Sequence, residues 1–271
     1  MPIKKHLNSC VIKSSGLKNL KKRHETTQRY LFRIEYDGAS YGGWQKQLNA
    51  PSIQEKIEHA FSTATRIPCS IVGAGRTDAG VHARRQAAHI DIPPVRDIER
   101  LRFSINSILP GDIQIFEMKP VSSDIHARFS AVKRRYCYYM NCENHPLVRH
   151  RAWTIMYAVN WNRVRKHVSS LLGTHDFSTF CSSGSGTENM TCKVTEAALT
   201  CNNDMFIFSI TADRFIYKMV RSIVGTLIDI GRGRLMSSMA AIIKSHDRTQ
   251  AGNTAPSKGL ILENIEYPED L

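Results

Sequence analysis

The sequence predicts an α+β chain of two ferredoxin-like halves with mixed, mostly antiparallel sheets. Three observations carry this. Strand-like and helix-like patterns alternate along the whole chain. Each half holds several strands and two or more helices, at the spacing of a split βαβ unit. The chain has 271 residues, 42% hydrophobic and 23% charged, which suffices for one large domain or two small ones with real cores.

Residues 1–29 hold eight Lys or Arg and one Glu, with no periodic apolar face, and read as a basic tail. The first half spans 30–142. "YLFRIEYDG" (30–38) is rich in aromatic and β-branched residues and ends at Asp-Gly, so it reads as a strand. "SIQEKIEHAFSTAT" (52–65) reads as a helix: Ser52 and Glu55 make a capping box, and Ile53, Ile57, Ala60, Phe61 and Ala64 line one face. "CSIVGAG" (69–75) and "QAAHIDI" (86–92) are predicted strands. "DIERLRFSINSIL" (97–109) is a predicted helix with Ile98, Leu101, Ile105, Ile108 and Leu109 facing in, stopped by Pro110-Gly111. "IQIFEMKPV" (113–121) and "KRRYCYYMNC" (133–142) are two more strands.

The second half spans 143–271. "NWNRVRKHVSSLLG" (160–173) reads as a helix stopped by Gly173. Residues 193–201 and 205–213 form a hairpin around Asn202, Asn203 and Asp204. "FIYKMVRSIVGTLIDIG" (215–231) and "MSSMAAIIKSH" (236–246) are helices, and "LILENIEY" (260–267) closes as a strand.

Charge and composition narrow the function. The net charge is +13, which points to a polyanionic partner, most often nucleic acid. Three readings of the basic tail stay open: an RNA-grasping arm, an organelle-targeting segment, or a start placed too far upstream. No run of 18 apolar residues predicts a membrane span, and residues 1–29 lack the apolar centre of a secretory signal. Seven cysteines, an odd count with no C-x-x-C pair, suit reduced thiols in a cytoplasmic protein. Cys181, Cys192, Cys201 and His175 match no standard zinc spacing, so no metal is expected.

Three stretches ask for chemistry. In the helix 215–231, apolar residues cover most of the circumference, yet Arg221 sits among them. A buried arginine is costly unless a carboxylate or phosphate meets it; the ordinary alternative is that it snorkels at the helix edge. "GAGRTDAGVHA" (73–83) places Asp78 among small residues that leave space at its oxygens. It is no phosphate fingerprint, since G-x-G-x-x-G would need Gly at 78. A solvated Asx-turn is the bland reading; pairing of Asp78 with Arg221 answers both questions at once. In "KRRYCYY" (133–139), alternation puts Val132, Tyr136, Tyr138 and Met140 on one face and Lys133, Arg135 and Tyr139 on the other. Rings interleaved with cations suit an unstacked base and its phosphates, and equally an ordinary amphipathic strand.

Taken together, these stretches resemble the bacterial tRNA pseudouridine synthase A family, over nearly all of residues 30–271. The landmarks come in the family's order: "YDGASYGGWQKQ" with "SIQEKIEHAF", "GAGRTDAGVHA", "HARFSAVKRRYCYYM", "GTHDFSTF", "DRFIYKMVRSIVGTLIDIGRGR" and "APSKGLILENIEY". The resemblance implies a pseudouridine synthase catalytic fold, with two ferredoxin-like halves facing each other across a basic cleft. It implies isomerisation of uridine to pseudouridine in the anticodon stem-loop of tRNA, at positions 38, 39 and 40, by a homodimer using no metal and no organic cofactor. By motif, Asp78 would be the nucleophile and Arg76 would help displace the target base. Tyr136 would stack on the uracil, and is a candidate base for the final proton. Arg221 would pair with Asp78. The cations expected at the RNA are Arg76, Lys133, Arg134, Arg135 and Lys218.

The chain departs from the family pattern in places. Ser222 stands where the family commonly has Asn after M-V-R. Residues 181–194 lack the family's common basic pair, and Arg84 or Arg85 is an extra arginine. Two other readings are weighed. An inactive tRNA-binding protein or chaperone on the same fold has no need of Asp78, Tyr136 and Arg221. A nucleosidase or glycosidase usually needs a second carboxyl group, and none lies near Asp78 in sequence.

Overall fold

A computed structural model describes residues 27–182, 184, 186 and 188–268. The expected tail lies almost wholly outside them. Among the described residues, ten strands form one mixed sheet: β1 (Gln28–Tyr36), β2 (Ile71–Gly73), β3 (His82–Ile92), β4 (Ile113–Val121), β5 (Lys133–Asn141), β6 (Trp153–Thr154), β7 (Gly173–Asp176), β8 (Thr191–Asn202), β9 (Met205–Ala212) and β10 (Leu260–Glu266). The order is β4-β1-β3-β10-β5-β9-β8-β7, with β2 added on β3 and β6 on β5. Pairing is antiparallel except for β3–β10 and β5–β6. The mixed, mostly antiparallel α+β class expected from the sequence is the one observed. The last strand, β10, lies between strands of the first part of the chain and joins them in one sheet.

Among the described residues, five α-helices accompany the sheet: α1 (Ile53–Thr65), α2 (Ile98–Ile108), α3 (Trp161–Val168), α4 (Met219–Gly231) and α5 (Met239–Ser245). Strand alternation sends Tyr30, Phe32, Ile34 and Tyr36 of β1 into a core shared with Ile53, Ile57, Ala60 and Phe61 of α1. A second core joins Tyr138 and Met140 of β5 to Ile223, Val224, Leu227 and Ile230 of α4. Tyr136 packs against both cores, so it marks the seam between them. None of the described helices is long and apolar enough to cross a membrane.

The Ser52 half of the expected capping box is present, and Asp97, read as the first residue of its helix, is a cap as well. Ser52 accepts from Glu55 N at 3.2 Å and Asp97 from Arg100 N at 2.8 Å, satisfying free donors at the starts of α1 and α2. The hairpin β8–β9 turns at Asn203 and Asp204, both at positive φ.

Four expectations shift. Ile108 is exposed rather than inward, because Leu109 leaves the helix with extended ψ and covers the core instead. The helix expected over 160–173 ends at Val168; a 3-10 turn follows, and Gly173, at φ +106°, starts the edge strand β7. The helix expected from 215 begins at Met219, because Lys218 has left-handed backbone (φ 61°) that a right-handed helix cannot include. Strand β3 starts at His82, four residues earlier than expected.

Candidate active site

Asp78 sits on the loop between β2 and β3. That loop is held by the end of β1, the residues that follow it, and β3. Tyr36 Oη and Thr77 Oγ1 share a hydrogen bond of 2.8 Å, Trp44 N donates to Thr77 O (3.1 Å), and Gly80 N donates to Tyr41 O (3.3 Å). Gln86, fully buried, donates to Gly75 O at 3.1 Å. Two glycines make this fit. Gly43, at φ +104°, would carry a Cβ 2.5 Å from Thr77 O, and Gly80, at φ +74°, one 2.7 Å from Ser257 Oγ. The loop is therefore a braced platform rather than a free connection.

Arg221 comes from the first turn of α4, 143 residues away in sequence, and its Nη1 donates to Asp78 Oδ2 at 2.7 Å. Its Nε donates to Ala255 O (2.9 Å), and Ala255 N returns a bond to Arg221 O (3.1 Å). The arginine is thus fixed by backbone and presents one edge to the carboxylate. Side-chain exposure is 15% for Arg221 and 21% for Asp78, so the pair is mostly withdrawn from water yet reachable.

Tyr136 projects from β5 onto the same seam. Its ring meets Phe215 edge-on, with centroids 5.1 Å apart. Burial, then the neighbouring Tyr36 and Asp78, push its phenol well above the usual tyrosine range. Tyr136 is therefore a neutral phenol at neutral pH. Its ring can stack and its hydroxyl can hydrogen-bond, but its phenolate is scarce, which weakens the expectation that it is a resident base. Beneath it, burial pushes Tyr36 up to about 12.

The expected RNA-facing cations fall into three groups. Arg76 and Arg135 are exposed, and among the described residues neither has an ion-pair partner. Lys133 reaches Glu266 at 3.9 Å, and Lys218 lies 4.8 Å from the Tyr217 ring. Arg134 is structural: it donates to the carbonyls of Ala131 (2.8 Å), Asp213 (2.7 Å) and Arg128 (2.6 Å). Arg84 and Arg85, one of them the extra arginine, face Glu263 (3.7 Å) and Glu117 (3.0 Å). Ser222 is fully buried, with its Oγ 3.4 Å from Thr254 Oγ1, so the departure from the family pattern finds a partner on the segment that also meets Arg221.

Sequence reasoning missed the supports. Tyr36, Thr77 and Gln86 hold the loop, and none was singled out. Nor was His82, which is buried with Nδ1 3.0 Å from Asp37 Oδ1 and Nε2 2.9 Å from His150 O. Burial alone would raise the Asp37 carboxyl, but the Ala39 N–H, His82 and Arg151 outweigh it and hold the carboxyl below its usual range. The signal was present: the apolar run of β1 ends in Tyr-Asp-Gly, and the Asp78 loop ends in Val-His.

With this geometry in place, relatives can be compared. A family model described as tRNA pseudouridine synthase matches residues 168–268. The tRNA pseudouridine synthase A of Porphyromonas gingivalis is 40% identical over 90% of this chain and 98% of its own length. That of Thermoanaerobacter sp. (strain X514) is 40% identical over 86% and 97%, and that of Streptococcus thermophilus 39% over 88% and 99%. Such matches span both cores, the Asp78 loop and the helix that carries Arg221. The chain belongs to the tRNA pseudouridine synthase A family.

Proposed function

We propose that this protein isomerises uridine to pseudouridine in the anticodon stem-loop of tRNA, at positions 38, 39 and 40, with Asp78 as the nucleophile. The observation that carries the reading is the Asp78–Arg221 pair, held on a braced loop at the seam of the two cores. The reaction breaks the ribose–N1 bond and forms a ribose–C5 bond. The hydrogen of carbon 5 leaves as a proton and N1 gains one, so the composition of the nucleotide is unchanged. A carboxylate holds one partner covalently while the uracil turns, which divides one hard step into easier ones. Attack at the sugar carbon, as in retaining glycosidases, and attack at carbon 6 of uracil both start from the Asp78 carboxylate.

Arg221, itself fixed by Ala255 O, aims the Asp78 carboxylate through its 2.7 Å bond. Tyr136 stacks on the uracil through its ring. Arg76, exposed two residues before Asp78, takes the space of the displaced base; unstacking costs about a few kcal/mol, which contacts to the phosphates offset. Lys218 meets the RNA backbone at this site; Lys133 and Arg135, on the face of β5 turned away from Tyr136, meet backbone beyond it. The halves 30–142 and 143–271 face each other across this cleft, and the working unit is a cytoplasmic homodimer.

The test is tritium release from tRNA labelled at carbon 5 of uridine, with wild type beside Asp78→Asn. Release by wild type and none by the variant, with tRNA binding retained, is the expected result. Equal release by both, or loss of binding together with activity, would remove Asp78 from the role of nucleophile.

A further inference from the structure

The turn between β4 and β5 holds an apolar ring in water. Phe129 is 76% exposed, yet its turn is tied at many points. Ser130 N donates to His126 O and His126 N to Ser130 Oγ, both at 2.9 Å. Ala127 N donates to the buried His89 Nδ1 (3.0 Å), and Tyr267 Oη donates to Ala127 O (2.6 Å). Arg134 adds its bonds to the carbonyls of Arg128 and Ala131. A connection needs no such bracing, and an exposed phenylalanine adds nothing to the core.

What the bracing fixes is a flat surface. One side of the Phe129 ring rests on His126, with centroids 4.4 Å apart, and the Arg128 guanidinium lies 5.5 Å from its centroid. A ring held in place beside a cation is the arrangement that stacks an unpaired base and meets its phosphate, with little ordering left to do on binding. Arg29 braces the approach to the turn, donating to the carbonyls of Ser123 and Ile125 while paired with Asp91 at 2.7 Å, so the cation the turn itself offers is Arg128. A chain of contacts links the turn to the Asp78 site without entering it: Arg134 also holds Asp213 O, and two residues on, Phe215 packs on Tyr136.

We infer that Phe129 and Arg128 form a second RNA contact, a stacking platform for an unpaired nucleobase of the tRNA other than the uridine that reacts. The inference rests on tRNA as the substrate. The test measures tRNA dissociation constants and tritium release at saturating tRNA for the full-length chain. Phe129→Ala weakens binding by roughly 5- to 150-fold, the usual range for one lost base–aromatic stack, and leaves kcat and the melting temperature unchanged. Phe129→Trp binds as wild type does. Arg128→Gln lowers the slope of log Kd against log salt by about one.

An unchanged dissociation constant for Phe129→Ala overturns the inference. So does a lower kcat at wild-type affinity, which would put the ring in the chemistry. So does a smaller sedimenting species, which would make the ring's partner a second copy of this chain. Failure of the wild-type protein to release tritium, with tRNA still bound, would sink the proposed activity instead, and the platform would still be judged by the dissociation constants.

Discussion

Two arginine–carboxylate pairs sit on opposite faces of one sheet. Arg221 meets Asp78 at 2.7 Å on the helix-covered face, with side chains 15% and 21% exposed. Arg85 meets Glu117 at 3.0 Å on the other face, with side chains 46% and 56% exposed. The contacts are alike in chemistry and nearly alike in length. What differs is water. At the exposed pair, solvent already satisfies each ion, so contact adds little. At the withdrawn pair, each ion relies on the other, and removal of one leaves the second with a desolvation cost and no partner. The buried pair is also supported from behind, by Ala255 O on Arg221 and the Tyr36–Thr77 bond under the loop. Distance alone would have ranked the two as near equals; exposure separates them.

The largest expected effect comes from breaking the inner pair. Arg221→Met keeps the apolar stem of the side chain and removes the charge. Asp78 then stands without its partner. Loss of one member of a buried pair costs about 3–5 kcal/mol, and the residual exposure of Asp78 puts this case at the low end of that range. Turnover should fall to the level of Asp78→Asn, and calorimetry should show a melting temperature lower by several degrees. A variant with wild-type melting temperature and activity would show that the contact is incidental.

How much of this was legible follows from where each signal lives. Arg221 in an apolar helix asked for an acid, and the acid was the one that Asp78 supplied. That reading needed only the cost of a buried charge. The cap at Ser52 was equally local. The supports were not. Thr77 reads as a loop threonine until the fold sets Tyr36 under it. Arg134 reads as an RNA-facing cation like its neighbours, and only the path of the 128–131 turn commits it to carbonyls. The strands β6 and β7 have two and four residues, too few for alternation to show; each exists because a neighbouring strand offers bonds. The start of α4 was misplaced because Lys218 adopts a left-handed conformation that its residue type does not advertise.

Burial also acts on a group that, among the described residues, no carboxylate pairs with. His89 is 3% exposed, and its Nδ1 accepts from Ala127 N at 3.0 Å. Burial, then the charges of Arg29 and His126, lowers its pKa from the ordinary 6.5 to about 4. The folded state therefore favours neutral His89. Its contribution is fully present above pH 6.5 and is lost as pH falls from there through about 4. Melting temperature should drop over that window. His89→Asn keeps an acceptor near the Nδ1 position and cannot take up the proton, so its melting temperature should fall less steeply across the same window. Parallel curves for the two proteins would place the acid sensitivity elsewhere.

The smallest expected effect tests the other side of the comparison. Arg85 donates to Glu117 Oε1, and its guanidinium carbon lies 5.3 Å from the Phe116 ring centroid. Glu117 is also 3.9 Å from Arg33 Nε, so its charge keeps a neighbour when Arg85 is gone. Each of these groups reaches water, and salt screens what attraction remains. A double-mutant cycle of Arg85→Met and Glu117→Gln isolates the pair from the ring contact, because loss of the Phe116 contact enters both arms that lack Arg85 and cancels. The coupling should stay below about 1 kcal/mol and shrink further in 1 M salt, with tritium release unchanged in all four proteins. A coupling of 2 kcal/mol or more would mean that this face is drier than its exposure in one chain implies, as it would be if a second copy covered it. Repeating the cycle at protein concentrations tenfold apart separates the two cases: a coupling within one chain stays constant, whereas one created by a covering copy rises with concentration.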